Sequence, residues 1–451
     1  MLTKDTIPFS VFTIVTKIFC YRVDNSTLIH YLVLLLCFEI QVVSKTQAAP
    51  DYDLEPVQYS DAQDHNTITR IQTAIDEGES KLPHGKPREV LKSLLNELNI
   101  PVSSQVLVFS KTSLQRKIIT PSNPRAIYFN DDFYVGYVPG GMIEVIACDD
   151  PTGMMFYSYD VNALPEKRRF FRDQECMTCH ASSNTMNIPG LLVRSVFTNQ
   201  DGQPLLSWGS FLTTPASPVE QRWGGWYVSG NKAEVKHMGN QWADSPVAGR
   251  DGYAQLHNQH LVHLNSFFDT RKHLTDSSDI LSLMLMEHQI EVHNTLSAAK
   301  MRYLRSVYLD RAIHGVEASP SIERLVSECT QSVLKALMFA DEVKLPEDGV
   351  EGSDAYRDSF MAQAHRYDGH SLRDLRLEKR IFKYRCSYMI YSKSFHQLPE
   401  EIKTPVLRKL HAIVTNQEVP ADLPLLSSRE KERIHEILSH THPAYQAVMI
   451  R

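Results

Sequence analysis

Cysteine is scarce in this chain, with seven residues in 451. That excludes a small scaffold stapled by disulfides, which needs cysteine at far higher density. Basic excess is also missing: the formal net charge is −6 at pH 7, and no run of five or six like charges occurs. The basic stripe that releases counterions from a nucleic-acid backbone is therefore absent, and nucleic acid is not an expected partner. No segment recurs at a fixed period, which excludes a solenoid or propeller array. No His-Glu-x-x-His helix is present. Against these absences stands an ordinary hydrophobic content of 42%, enough for a packed core in one large domain or two to three smaller ones.

The first fifty residues differ from the rest. Leu28 to Phe38 is an apolar run of signal-peptide length, short for crossing a bilayer. It follows Lys17 and Arg22 and precedes Thr46-Gln47-Ala48-Ala49, whose small residues suit a signal peptidase. Export to the periplasm is the expectation, with residues 1–49 a signal peptide or, retained, an N-terminal membrane anchor. Lipidation at Cys37 is disfavoured by bulky Leu36. Beyond this segment Cys148, Cys176, Cys179, Cys329 and Cys386 remain. An odd number leaves open whether Cys148, Cys329 and Cys386 hold one disulfide plus a thiol, or three buried thiols.

Patterning divides the rest into three regions and an α+β fold. Residues 50–104 read as a linker and two helices, at Thr67–Glu77 and Pro87–Leu98. Residues 105–252 are β-rich: 105–109, 126–129, 133–138 and 142–147 carry β-branched and aromatic residues, with Pro139-Gly140-Gly141 as a turn. A further hairpin is expected from Leu191 to Leu212, turning at Asn199–Gly202, and one more strand at 223–228. Residues 253–451 read as all-helical. A long helix is expected from Leu281 to about Leu309, capped from Asp276-Ser277-Ser278-Asp279, with others near 321–340, 353–366, 371–393, 399–416 and 427–440. Ser427 and Glu430 have the spacing of a capping box.

The chemistry concentrates in Cys176-Met177-Thr178-Cys179-His180. Two thiols at this spacing followed directly by histidine suit covalent haem attachment, in which the sulfurs bond the two vinyl groups and the imidazole ligates iron. A redox Cys-x-x-Cys would sit in a βαβ unit, and none surrounds it. A zinc site would need a second Cys or His pair at short range. In an exported chain the pattern favours one c-type haem, and with it a redox partner whose identity the sequence does not give.

The sixth iron position separates two functions, since a thioether or imidazole there makes an electron carrier and an open position admits a small ligand. Met238, 58 residues after His180, is the first candidate ligand, with neighbouring His237 competing and Met186 too close to wrap around the group. Arg194 is the foremost candidate for binding haem propionates, followed by Arg222 and Trp223, because guanidinium pairs well with carboxylate. His257, His260 and His263 share a helical spacing that suits either a ligand cluster or polar surface. His288 and His293 are five apart and cannot face one metal from a single helix; His293 suits either a polar row near the haem or helix packing.

With these residues in view, the chain resembles a bacterial family of exported cytochrome c domain-containing proteins with a single haem motif. The resemblance covers most of residues 55–440. It rests on VLVFSKTSLQ at 106–115, PRAIYFNDDFYVGYVPGG at 124–141, CMTCH at 176–180 and NIPGLLVRSVF at 187–197. RWGGWYVSG at 222–230, HMGN at 237–240, SDILSLMLMEHQIEVHN at 278–294 and SLRDLRLEKRIFKYRCSYMIYS at 371–392 complete it. It implies a covalent haem at Cys176, Cys179 and His180 and export from the cytoplasm. It implies no substrate and supplies no catalytic residues. The expected role is electron transfer; the alternative is an exported haem enzyme of peroxidase or oxidase type with an open distal site.

Overall fold

In a computed structural model, residues 50–80, 82–83, 85–230, 235–243, 261–315, 319–346 and 348–450 are described. The proposed signal or anchor segment therefore lies outside the described residues, as do His257 and His260. No described helix is long and apolar enough to cross a membrane.

The fold is α+β, a central antiparallel sheet followed by a helical C-terminal half. Helix α1 (Thr67–Asp76) starts at Asn66, whose side-chain oxygen accepts from the amides of Ile68 at 2.9 Å and Thr69 at 3.2 Å. The same side chain donates to Asp150 at 2.8 Å and to the Tyr157 hydroxyl at 2.7 Å, so one cap fixes the helix to the sheet. Helix α2 (Pro87–Glu97) buries Val90, Leu91, Leu94 and Leu95, the i, i+4 stripe its sequence displays.

Strands β1 (Val106–Val108), β2 (Arg125–Phe129), β3 (Phe133–Tyr137), β4 (Ile143–Asp150), β5 (Gly153–Tyr159) and β6 (Phe170–Arg172) form a meander. It continues outward past β1 through β9 (Trp226–Tyr227), giving the order β6-β5-β4-β3-β2-β1-β9 with every pair antiparallel. The Pro139-Gly140-Gly141 turn joins β3 to β4 as its composition predicts, with Gly140 at φ +90°. The expected second hairpin is β7 (Arg194–Val196) with β8 (Ser210–Leu212), and it does turn at Asn199–Gly202. The helix-bearing segment α3 (Met177–His180) lies between β6 and β7.

Helix α4 (Ile280–His314) is capped by Asp279, whose carboxylate accepts from the amides of Leu281 and Ser282. Residues 280–290 of α4 are buried on every side, so this half is a core strut and not an amphipathic surface helix. Helices α5 (Pro320–Leu337), α6 (Asp354–Ala362), α7 (Lys393–His396), α8 (Glu400–Val414), α9 (Ser428–Thr441) and α10 (Pro443–Met449) pack around it. Ser427 caps α9, but the Glu430 carboxylate binds the Arg380 guanidinium at 3.0 Å and the Arg385 amide at 2.8 Å, not the cap's own amide. Sheet and helices share one hydrophobic core, and residues 51–451 form one compact unit.

The helix expected over 371–393 is absent. Leu377 and Lys379 take positive φ, Leu375 bridges Phe382, and only a 3-10 turn at Tyr388–Tyr391 is helical. Side-chain anchors win over local propensity here. The Arg373 guanidinium lies 4.3 Å from the Tyr388 ring centre and 4.6 Å from that of Phe360 while pairing with Asp131, and an uninterrupted helix would not keep those partners.

Candidate haem site

The site is built on one face of the sheet. Alternation along β2 sends Arg125 and Ile127 to one side and Ala126 and Tyr128 to the other. The register places Ile127 opposite Gly136, and Gly136 opposite Glu144. Ile146 pairs with Phe156, extending the same face. Against this face lies α3 with its flanking turns, and between them is a cleft of about 320 Å³ lined by Cys176, Cys179, His180 and Arg194 among others. That volume falls within the roughly 300–1,000 Å³ usual for small-molecule sites.

His180 is held in one tautomer. Its Nδ1 lies 2.7 Å from the Gly190 carbonyl oxygen. A carbonyl only accepts, so Nδ1 carries the proton and Nε2 keeps its lone pair. The Gly190 amide in turn donates to the His180 carbonyl at 2.8 Å, closing a reciprocal pair. Asn294 of α4 fixes the next residue: its side chain accepts from the Leu191 amide at 2.8 Å and donates to the Leu191 carbonyl at 2.9 Å. Gly190 fits beneath it because it lacks a side chain; a Cβ there would lie 2.9 Å from Asn294 Oδ1 and 3.0 Å from Thr185 Cβ. The imidazole packs on Phe156, ring centres 4.9 Å apart, and burial holds it below the usual histidine pKa.

Burial, reinforced by Asp173 and Glu144, pushes the Cys176 thiol up to about 12. A redox Cys-x-x-Cys needs the reverse, a thiol lowered toward neutrality so that thiolate is available. None of the five described cysteines forms a disulfide, and Cys148, Cys329 and Cys386 are buried thiols. Among the described residues no group of three or more His, Cys, Asp or Glu side chains is arranged to hold a metal ion by itself.

The remaining sequence candidates divide sharply. Arg194 reaches the cleft with both thiols and the histidine, its Nη2 donating to Ser210 Oγ at 2.9 Å and its carbonyl accepting from the Trp226 indole at 2.8 Å. Met238 is not brought there. Ser195, on the opposite face of β7 from Arg194, directs its hydroxyl to Met238 Sδ at 3.7 Å, and Met238 packs with Phe197 and Ala243 in a separate small cluster. His237 stays beside it, accepting from the Gly239 amide at 3.0 Å and edge-on to Trp223. Arg222 and Trp223 both bind Glu287 and take no part in the cleft. Met186 is exposed at the rim of a second cavity, between α4 and α5. His263 is exposed beside Asp276, His288 bonds Ser387, and His293 packs on Tyr134 with Nδ1 3.1 Å from its hydroxyl.

A prediction follows for Met238→Leu. The swap conserves volume, so stability should fall by less than about 1.5 kcal/mol. Were the chain loaded with haem, its spectrum should be the same in this variant; loss of a low-spin signature would make the thioether an iron ligand.

Sequence reasoning missed Arg125, Glu144, Gly190 and Asn294. The first two had a signal: each is a charge in an otherwise apolar strand, RAIYF and IEVIA. No protein-family model, curated protein or solved structure matches this chain.

Proposed function

We propose that this chain is an exported c-type haem protein, with one haem bonded through Cys176 and Cys179 and ligated by His180. The observation that carries the reading is the His180–Gly190 pair: with Nδ1 committed to a carbonyl, Nε2 is the free donor in the cleft shared by both thiols. Backbone hydrogen bonding at the other ring nitrogen is the usual support of a metal-ligating histidine. Each thiol adds across a vinyl double bond, sulfur to one carbon and hydrogen to the other, so no external oxidant is required. Phe156 and Ile127 present apolar surface to a macrocycle, and Arg194 offers a guanidinium to a propionate. The haem would supply one-electron exchange at iron. The sequence resemblance to exported cytochrome c domain-containing proteins points the same way, as does the signal-like N-terminus.

Electron transfer to a redox partner is the first role. One observation favours the alternative, a haem enzyme with an open distal position. Among the described residues lining the cleft, His180 is the sole histidine and there is no methionine; Arg125 and Glu144 are there instead.

The test is a pyridine haemochrome assay on chain produced with a haem-attachment system. One covalent haem per chain is expected, with Cys176→Ala and Cys179→Ala each leaving attachment defective and His180→Ala abolishing normal ligation. A colourless product with both thiols free would end the reading. High-spin ferric iron reacting rapidly with peroxide would select the enzyme, and an inert low-spin spectrum the electron carrier.

A further inference from the structure

Two charged groups cross the floor of the cleft. Arg125 and Glu144 form an ion pair from β2 to β4, over the intervening strand β3. Gly136 is what lets them meet, because a Cβ at that position would run into the Arg125 guanidinium. Both side chains are largely withdrawn from solvent, at 19% and 15% exposure. The pair therefore pays a desolvation cost that an apolar pair would avoid. Moreover, Arg125 Nε–H is buried without an acceptor among the described residues, an uncommon state for a guanidinium donor.

Charge counting in the lining points to the occupant. The cleft holds two guanidiniums, Arg125 and Arg194, and one carboxylate, Glu144. His180 commits its Nδ1–H to the Gly190 carbonyl and turns a lone pair, not an N–H, to the cleft. One positive charge is left over in a partly enclosed, largely apolar space, which suits a flat apolar ligand bearing carboxylates. We propose that Arg125 is a second carboxylate-binding residue for the porphyrin, acting with Arg194, and that Glu144 holds its guanidinium in place until the ligand arrives. The proposal rests on the haem reading above and assigns how the cleft recognises the two acidic arms of the group.

The two members of the pair should respond with opposite signs. Removing Arg125 deletes a donor to the ligand. Removing the charge of Glu144 deletes a competing anion and leaves the guanidinium free. A merely structural ion pair would suffer the same loss from either change.

The experiment titrates the full chain, made without haem attachment, with protoporphyrin IX and separately with its dimethyl ester, following porphyrin fluorescence. Wild type should bind the free acid at least about tenfold more tightly than the ester, the ratio expected of one charge-assisted hydrogen bond. Arg125→Leu should weaken the acid about tenfold and leave the ester nearly unchanged. Arg125→Lys should fall between, since it keeps the charge and loses the planar fork. Glu144→Gln should bind the acid as tightly as wild type or more so. Circular dichroism of each variant separates unfolding from lost recognition.

Equal weakening of both porphyrins by Arg125→Leu and Glu144→Gln would overturn the proposal, as would an unchanged acid-to-ester ratio in Arg125→Leu. A wild type that binds neither porphyrin also overturns it. The haem reading is judged apart, by the haemochrome of the matured chain, so a covalent haem with an indifferent Arg125 sinks only this inference.

Discussion

Replacing Glu287 with alanine is expected to lower the unfolding free energy by about 3–5 kcal/mol, the range for stranding one half of a buried ion pair. Glu287 is 1% exposed, in the part of α4 that is buried on every side. Its Oε2 accepts from Arg222 Nη1 at 2.7 Å and its Oε1 from the Trp223 indole at 2.7 Å. Burial pushes the Glu287 pKa upward, with Arg222 and Trp223 pulling against it. The guanidinium also donates to the carbonyls of Ser217 and Pro215. Without the carboxylate those carbonyls remain, but the cation loses its counterion and the indole N–H its acceptor.

Urea denaturation checks this through a lower midpoint at unchanged slope, which marks lost stability rather than a changed denatured state. Glu287→Gln should lose less, because an amide oxygen still accepts from one donor. The double variant Arg222→Met, Glu287→Leu should recover most of the loss, because no buried charge is left alone. If Glu287→Ala unfolds within about 1 kcal/mol of wild type, the pair is not the clamp between the β9 approach and α4 that its geometry describes.

That clamp also shows where sequence reasoning ends. Arg222 and Trp223 read as propionate candidates because they flank the Cys-x-x-Cys-His segment, yet their partner is 65 and 64 residues away on α4. Elements written in local period were legible: α1, α2 and the Asp279-capped α4, together with β1 to β4, stand within a few residues of their patterns. The 371–393 segment was not, since Arg373 is held by Asp131, 242 positions earlier. Cys176, Cys179 and His180 were legible because one short stretch carries all three. Arg125 and Glu144 stand out in the sequence as lone charges in apolar strands, but their pairing over Gly136 appears only in the strand register. Met238 shows the converse: its spacing from His180 resembles that of small cytochromes c, but strand alternation puts it on the far side of β7.

Asn294→Ala is expected to combine a stability loss with a change at His180, the proposed iron ligand. Both backbone groups of Leu191 lose their side-chain partner, and an unsatisfied buried group costs about 1–3 kcal/mol. Leu191 is 4% exposed, so a loss of about 2–6 kcal/mol is expected for the two together. The effect reaches His180 because Leu191 directly follows Gly190, whose carbonyl holds Nδ1–H. That hydrogen bond raises the basicity of Nε2, the nitrogen proposed to ligate iron, and outer partners of this kind tune a bound metal. A looser bond makes Nε2 a weaker donor, stabilises ferric iron less, and should raise the reduction potential of the haem-loaded chain. Asn294→Asp keeps the acceptor for the Leu191 amide and loses only the donor, so it should show about half the stability loss by the same count. Gly190→Ala should shift the potential in the same direction, because its Cβ would press on Asn294 Oδ1. Potentiometric titration beside urea denaturation separates the two consequences. A lower stability with an unmoved potential would make Asn294 a packing residue only, whereas movement of both in Asn294→Ala and Gly190→Ala ties α4 to the electronic character of His180.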